Sequence, residues 1–359
     1  MASFRAPGRA NLIGEHTDHT GGLVLPAAID RAVVVEAELG GDRIELSSAD
    51  APGPVAIPAD GSEAPAEGWG RFVAAVAAEL AVAGRPPVGL VGRVTSHLPQ
   101  GAGLSSSAAL EVAVASALCA AARFALPPLE LAALCRRAEH RAVGVPSGIM
   151  DQAAAVLGRS GHAVLLDCTT LEHRYVPLPA DHVLLVVDSG VRRQLESTGY
   201  ADRTRELAAA LPVLGGRRPS EVDPGELDDL LAGLDDVPAR RLRHVVTENA
   251  RVRATEQALH AGDLVRVGQL FEAGHTSLRD DFEVTIPELD TLVDLARQAG
   301  ATAARMTGGG FGGAIIVLAP ERHAEAIAAE VVDGYGRAHP GQEATPHVCR
   351  AADGARRLT

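Results

Sequence analysis

Apolar residues recur at two periods along the chain, and each change of period marks an element. Ile29 to Glu38 (IDRAVVVEAE) and Arg43 to Ser48 (RIELSS) predict strands. Asp50 to Gly68 is rich in Pro, Ala and Gly and reads as a surface loop. Trp69 to Ala83 puts Phe72, Val76 and Leu80 on one helical face. Val88 to Thr95 is a strand running into a Gly/Ser loop. Ala108 to Ala125 is apolar nearly throughout, but Glu111, Arg123 and its alanine content make it a buried helix and not a membrane span. Pro128 to Val143 is a further helix, with Leu131, Leu134, Cys135 and Ala138 inward. A turn at Gly144 to Gln152 opens a small apolar helix. His162 to Asp167 and His182 to Asp188 are strands, separated by a polar stretch with two prolines.

The second half opens mostly helical: Tyr200 to Leu214, Arg240 to Ala261, Leu264 to Leu278 and Pro287 to Gly300. Gly215 to Asp236 is acidic and reads as a loop carrying a short helix. A glycine run, the strand Ala314 to Leu318 and a helix from Glu321 to Tyr335 follow. Strands mixed with helices and no regular βαβ spacing predict an α+β fold. At 359 residues two domains are the natural division, 1–178 and 179–359.

Composition narrows the function. A formal net charge of −13 argues against nucleic acid or an anionic membrane as partner. All 33 basic residues are arginines, which excludes a Walker A lysine and a lysine Schiff base. Phosphate chemistry on this chain must rest on backbone N–H groups, serine, arginine and a metal ion. Cys119, Cys135, Cys168 and Cys349 form no C-x-x-C pair, and reduced thiols fit a cytoplasmic protein.

Four stretches carry candidate chemistry. In Leu98 to Glu111 (LPQGAGLSSSAALE), Gly-x-Gly and three serines precede the buried helix. A helix N-terminus binds anions, and a serine there caps the helix, holds a phosphate or ligates a metal. A serine-capped helix after a plain loop is the simpler reading. Gly8 to His19 (GRANLIGEHTDH) packs acids and imidazoles into one turn. Such a turn suits several sugar hydroxyls, a metal held by His16, Asp18 and His19, or simply solvent. Glu139 and Asp151 could divide the work of metal ligand and proton acceptor, or be ordinary solvated acids. Thr307 to Gly313 (TGGGFGG) suggests main chain approaching a ligand or another domain, or a flexible hairpin.

Together these stretches resemble the galactokinase family of the GHMP small-molecule kinases. GRANLIGEHTDH resembles the galactokinase signature, LPQGAGLSSSAALE the ATP-binding motif and MTGGGFGGAIIVL the third motif. AEHRAVGVPSGIMDQ, VDSGVRRQLESTGYADR and GHTSLRDDFEVTIPELD follow the family order, so the resemblance spans nearly the whole chain. It implies two α+β domains with the active site between them. It implies ATP as co-substrate, its phosphates on Gly101, Ala102, Gly103, Leu104, Ser105, Ser106 and Ser107, and Ser48 and Trp69 lining the adenine pocket. Ser107 and Glu139 match the family's Mg²⁺ ligands. Glu15, His16, Thr17, Asp18, Gly148 and Tyr200 match the sugar site. Asp151 matches the acid facing the C1 hydroxyl and Arg9 its cationic neighbour. The implied activity is phosphorylation of galactose at C1 by a monomer. The alternatives are a related kinase for N-acetylgalactosamine or L-arabinose, or a non-catalytic sugar sensor. The chain departs from the usual HTDY at His19, which bears on sugar preference.

Overall fold

The structure is a computed structural model that describes residues 1–65, 67–99, 103–144, 147–192 and 198–359. Its first sheet is built from β1 (Ala2–Asn11), β3 (Pro26–Leu39), β4 (Arg43–Ser48), β5 (Val55–Pro58) and β6 (Leu90–Ser96), with β2 (Leu23–Val24) set apart. The small strands β7 (His162–Asp167) and β8 (His173–Pro177) pair with β2 in a three-stranded sheet. A third sheet holds β9 (His182–Asp188), β10 (Ala303–Thr307), β11 (Ala314–Pro320) and β12 (Thr345–Cys349), in the order β10-β11-β9-β12. The last strand, β13 (Arg356–Arg357), returns to β1, so the first sheet runs β13-β1-β3-β6-β4-β5.

Helices cover these sheets. α2 (Ser106–Ala121) and α4 (Met150–Leu157) pack on the first sheet, and α1 (Gly70–Val82) and α3 (Pro128–Val143) pack on these helices and on each other. α5 (Thr198–Ala210), the short α6 (Leu227–Leu231), α7 (Asp236–Ala261), α8 (Leu264–Asp280), α9 (Pro287–Gln298) and α10 (Ala324–Ala338) follow. α8 and α9 cover β10, and α10 packs on α9.

Local chemistry explains the bounds. α2 is apolar on nearly every side and lies buried against β1 and β3, as such a helix must. α3 starts with Pro128 at its first position and ends at Gly144, whose φ of 73° closes the helix. Gly262 closes α7 in the same way, and the Asp263 side chain accepts the Arg266 N–H to start α8. β9 is a continuous apolar run because β11 and β12 flank it and both its faces are covered.

Several strands depart from the sequence pattern. β1 is ten residues of ASFRAPGRAN, with Pro, Gly and two Arg and no alternation. It is a strand because β3 pairs with it from Ala2↔Ala37 to Asn11↔Pro26, with a bulge between Pro7 and Arg9. β5 lies inside the predicted loop 50–68, and β8 inside the polar stretch before β9. β10, β12 and β13 are likewise fixed by their partners. The predicted helix to Leu214 stops at Ala210, where Pro212 lies in a 3₁₀ turn, Leu211–Leu214. The stretch 215–236 holds two 3₁₀ turns and α6.

Two large apolar cores result. One gathers β1, β3, β6 and α1 to α3, together with Val252 of α7 and Phe271 of α8. The other gathers β9 to β11 with α9 and α10. The bulge in β1 brings Gly8 under the Gly/Ser loop. A Cβ at Gly8 would meet Leu98 Cδ2 at 2.4 Å and the Leu104 carbonyl at 2.6 Å. Gly8→Ala is therefore expected to destabilise by about 1–3 kcal/mol through overpacking. Urea unfolding measures it; an unchanged midpoint and slope would show that the loop yields freely.

Candidate active site

β6 leads into the Gly/Ser loop and α2 leaves it. Gly101 and Ala102 lie outside the described residues. Arg9 N–H donates to the Leu104 carbonyl at 3.2 Å, which holds the loop on β1. Ser105 sits at the helix N-cap with φ of 56°, and its hydroxyl makes no capping bond. It donates instead to Asp151 Oδ2 at 2.5 Å. The plain capped-helix reading therefore fails at Ser105, and the N-terminus of α2 is left without a side-chain cap.

Asp151, in the first turn of α4, meets Arg9 in a two-bonded fork, Nε to Oδ1 at 2.8 Å and Nη2 to Oδ2 at 3.0 Å. Arg9 Nη1 donates to the Gly103 carbonyl at 2.5 Å, so one guanidinium ties the acid to the loop. The Arg9 side chain is 7% exposed and that of Asp151 29%, so the carboxylate opens to the cleft. Oδ2 accepts two bonds and Oδ1 one, leaving acceptor capacity on Oδ1.

One turn further, Ser107 Oγ donates to Glu139 Oε1 at 2.9 Å. Glu139 Oε2 accepts from Ser147 Oγ at 2.9 Å and Gln152 Nε2 at 3.1 Å. Gln152 also donates to Glu111 Oε2 at 3.1 Å. Glu111 is fully buried, and burial, with Glu139 nearby, pushes its carboxyl well above the ordinary range. Ser107 and Glu139 offer hard oxygen donors side by side, a set that fits Mg²⁺ shared with substrate phosphates.

The acidic turn meets this site at Gly148. His16 is held at φ of 62°, its ring 4.5 Å from Phe282 and 5.6 Å from Tyr200. Asp18 accepts the His19 N–H at 3.0 Å. A Cβ on Gly148 would stand 1.7 Å from Asp18 Oδ2, so only glycine lets that carboxylate take its place. Thr17 is buried, and its hydroxyl faces the carbonyls of Gly14 at 2.8 Å and Leu23 at 2.7 Å, which makes it a fastener of the turn. Among the described residues no three His, Cys, Asp or Glu side chains are grouped to hold a metal.

Glu15 is committed to the interior. Asn11 Nδ2 donates to its Oε1 at 2.8 Å, and Arg305 Nη2 to its Oε2 at 2.6 Å. The same Arg305 nitrogen reaches Glu248 Oε1 at 2.7 Å, and Arg251 Nε holds Glu248 Oε2 at 2.7 Å. Burial pushes the Glu15 carboxyl up to about 7 although Arg305 opposes it, while the two arginines hold Glu248 well below the usual range. His244 is buried and pushed down to about 3, so it is neutral; its Nε2 lies 3.2 Å from the Glu15 carbonyl. The third motif supports this turn. Thr307 Oγ1 donates to the Asn11 carbonyl at 2.9 Å, and Gly308 N–H points at Glu15 Oε1 at 3.4 Å.

Ser48 ends β4 beside β6, its Oγ accepting the Asp50 N–H at 3.1 Å. Asp50 in turn accepts the Ser96 N–H at 2.8 Å, at the mouth of the Gly/Ser loop. Trp69 starts α1, with Nε1 donating to the Gly53 carbonyl at 3.0 Å. The sequence reading did not single out Glu111, Gln152, Glu248 or Arg305. Glu111 stands four residues after Ser107 on α2, a helical neighbour, and Arg305 is a charge inside an apolar strand; both are legible signals.

Family profiles match three parts of the chain: "Galactokinase galactose-binding signature" over residues 2–38, "GHMP kinases N terminal domain" over 71–159 and "GHMP kinases C terminal" over 255–337. Mevalonate kinase of Methanococcus jannaschii shares the fold, with a TM-score of 0.70 at 18% identity and 98% of each chain covered. Fold and site thus define a two-domain α+β kinase of the GHMP class. A galactokinase of Roseiflexus sp. (strain RS-1) is 41% identical over 361 residues, 99% of this chain and 92% of its own. Lactococcus lactis galactokinase complexed with galactose has a TM-score of 0.94 at 35% identity, covering 99% of this chain and 95% of that one. The chain belongs to the galactokinase family.

The buried network generates two expectations. Arg305→Met leaves Glu15 and Glu248 without their shared cation and should cost about 3–5 kcal/mol. Arg350→Met, which breaks an exposed pair with Glu321, should cost about 0–1 kcal/mol. Chemical unfolding compares them; equal effects would refute the network's role. Glu15 has a folded-state pKa of about 7, above its ordinary 4.5. Its contribution to stability is therefore complete below 4.5 and lost as pH rises through 7. Glu15→Gln should flatten the loss of stability between pH 4.5 and about 7. A slope identical to that of the parent protein contradicts the assignment.

Proposed function

We propose that the protein phosphorylates galactose at the C1 hydroxyl with ATP, releasing galactose 1-phosphate and ADP. The observation that carries this reading is Asp151, held in a two-bonded fork by Arg9 and facing a loop at an uncapped helix N-terminus. The galactose-binding signature over residues 2–38 and the galactose-bound relative support the sugar.

The γ-phosphate lies at the start of α2, where backbone N–H groups and Ser106 meet negative charge. The C1 hydroxyl donates to Asp151 Oδ1, the oxygen with spare acceptor capacity. Its oxygen attacks the γ-phosphorus, the bond to the β,γ-bridging oxygen breaks, and the hydroxyl proton passes to Asp151. Arg9 keeps the carboxylate in line and faces the charge that develops on the transferring group. Ser107 and Glu139 would hold Mg²⁺, which supplies charge neutralisation across the β- and γ-phosphates when bound. His16, Asp18, Gly148 and Tyr200 orient the sugar, while Ser48 and Trp69 face the base.

We place the domain division after residue 178. The new sheet that opens at β9 supports it, with β13 lent back to the first sheet. Four free cysteines suit a cytoplasmic protein, and no helix among the described residues is long and apolar enough to cross a membrane.

A coupled ADP-release assay across galactose, N-acetylgalactosamine, L-arabinose and glucose tests the substrate. Turnover confined to galactose and close analogues is expected; turnover of only another sugar refutes the assignment. Asp151→Ala should lower kcat by about 10²–10⁴-fold with ATP still bound. Near-normal turnover would remove Asp151 as the proton acceptor. Glu139→Gln should raise the Mg²⁺ concentration needed for half-maximal rate, and an unshifted titration would count against its ligand role.

A further inference from the structure

The glycine run between β10 and β11 holds one residue that its backbone does not suit. From Gly308 to Gly313 every position is glycine except Phe311. Phe311 sits at φ of 57°, in the left-handed region where glycine is at ease and a bulky side chain is strained. Its N–H donates to the Val284 carbonyl at 2.7 Å, and the Gly313 N–H to the Val191 carbonyl at 3.0 Å, so the loop is pinned on both sides. A glycine at 311 would hold the same backbone without strain. The reason for phenylalanine therefore lies in what its ring touches.

The ring rests on the first turn of α5. A Cβ on Gly199 would meet Phe311 Cζ at 2.7 Å, Cε1 at 3.0 Å and Cε2 at 3.1 Å. Gly199 lies inside α5 with no left-handed φ to account for it, in a helix that a glycine weakens. It is glycine because the ring takes the room. Four residues on, along the same helix face, the Arg203 guanidinium lies 6.0 Å from the ring centroid. Arg203 Nη2 donates to the Glu283 carbonyl at 3.2 Å, one residue before the carbonyl that holds Phe311. A phenylalanine strained where glycine is free thus meets a glycine set where a side chain would suit the helix. Tyr200 follows Gly199 directly, with its ring 5.6 Å from that of His16. We propose that Phe311 is a positioning residue for the sugar site. Its ring, seated against Gly199 and Arg203, sets the first turn of α5 and with it the angle at which Tyr200 meets the substrate. That role presupposes Tyr200 as a sugar contact, as proposed above. One loop then serves two parts of the site, since Thr307 and Gly308 at its start hold the acidic turn.

The test is a set of single and double variants. kcat, the galactose KM and the ATP KM are measured for the parent protein, Phe311→Ala, Phe311→Leu, Gly199→Ala, Tyr200→Ala, and the doubles that combine Phe311→Ala with Tyr200→Ala or with Gly199→Ala. Phe311→Ala is expected to raise the galactose KM about tenfold and to leave the ATP KM within about twofold. Phe311→Leu, which keeps apolar bulk, should recover part of that loss. Gly199→Ala should raise the galactose KM as well, and removing the ring should abolish its effect. In the Tyr200→Ala background, Phe311→Ala should add less than about twofold, because it acts through Tyr200. An unchanged galactose KM in Phe311→Ala, equal losses for both substrates, or full additivity with Tyr200→Ala each overturn the proposal. The melting temperature reports the fold of each variant; if Phe311→Ala does not fold, Phe311→Leu takes its place in the cycle with Tyr200→Ala. A Tyr200→Ala variant with the parent's galactose KM refutes Tyr200 as a sugar contact, and the proposal with it. A parent protein inactive on galactose refutes the substrate reading instead, and the same cycle on the sugar that does turn over then decides the role of Phe311.

Discussion

One guanidinium holds the acidic turn of this molecule in place. Arg305, fully buried on β10, lies between Glu15 of the acidic turn and Glu248 of α7. Glu248 also accepts the Gly14 N–H at 2.9 Å, and Asn249 accepts the Leu23 N–H at 2.7 Å. Residues 14–23 are thus gripped from α7 and β10, elements far away in sequence. Charges this deep are stable only when each has its partners, so the network fixes one arrangement of the turn and penalises others. Glu15, His16 and Thr17 are buried, while Asp18 and His19 are only half-buried.

The opposite wall uses the same logic with less burial. Arg9 bonds Asp151 twice and the Gly103 carbonyl once, so acid and loop cannot shift independently. A lysine offers a single mobile charge and could not fix both angles of the carboxylate. The chain has no lysine, and its arginines serve both as forks at the cleft and as buried struts beneath it. Glu139 is oriented by three donors, Ser107, Ser147 and Gln152, and the buried Glu111 accepts the second Gln152 N–H. Arg9 and Asp151, 142 residues apart, meet because α4 packs on β1, the strand that carries Arg9.

The sequence by itself determined the periodic elements and the motifs. α1, α3, β4, β7 and β9 fall within a residue or so of their predicted bounds, because apolar period, Pro and Gly act locally. The Gly/Ser loop, the acidic turn, Glu139 and Asp151 were legible as well, since their chemistry is written in contiguous residues. The tertiary structure decided the rest. β1 has no strand pattern and exists through its pairing with β3, and β5, β8 and β10 likewise depend on partners. Only the fold separates Glu15 and Thr17, both buried, from the half-buried Asp18 that directly follows them. Only the fold recruits Arg305, Glu248 and Glu111, whose roles arise from contacts across tens to hundreds of residues that no local spacing encodes.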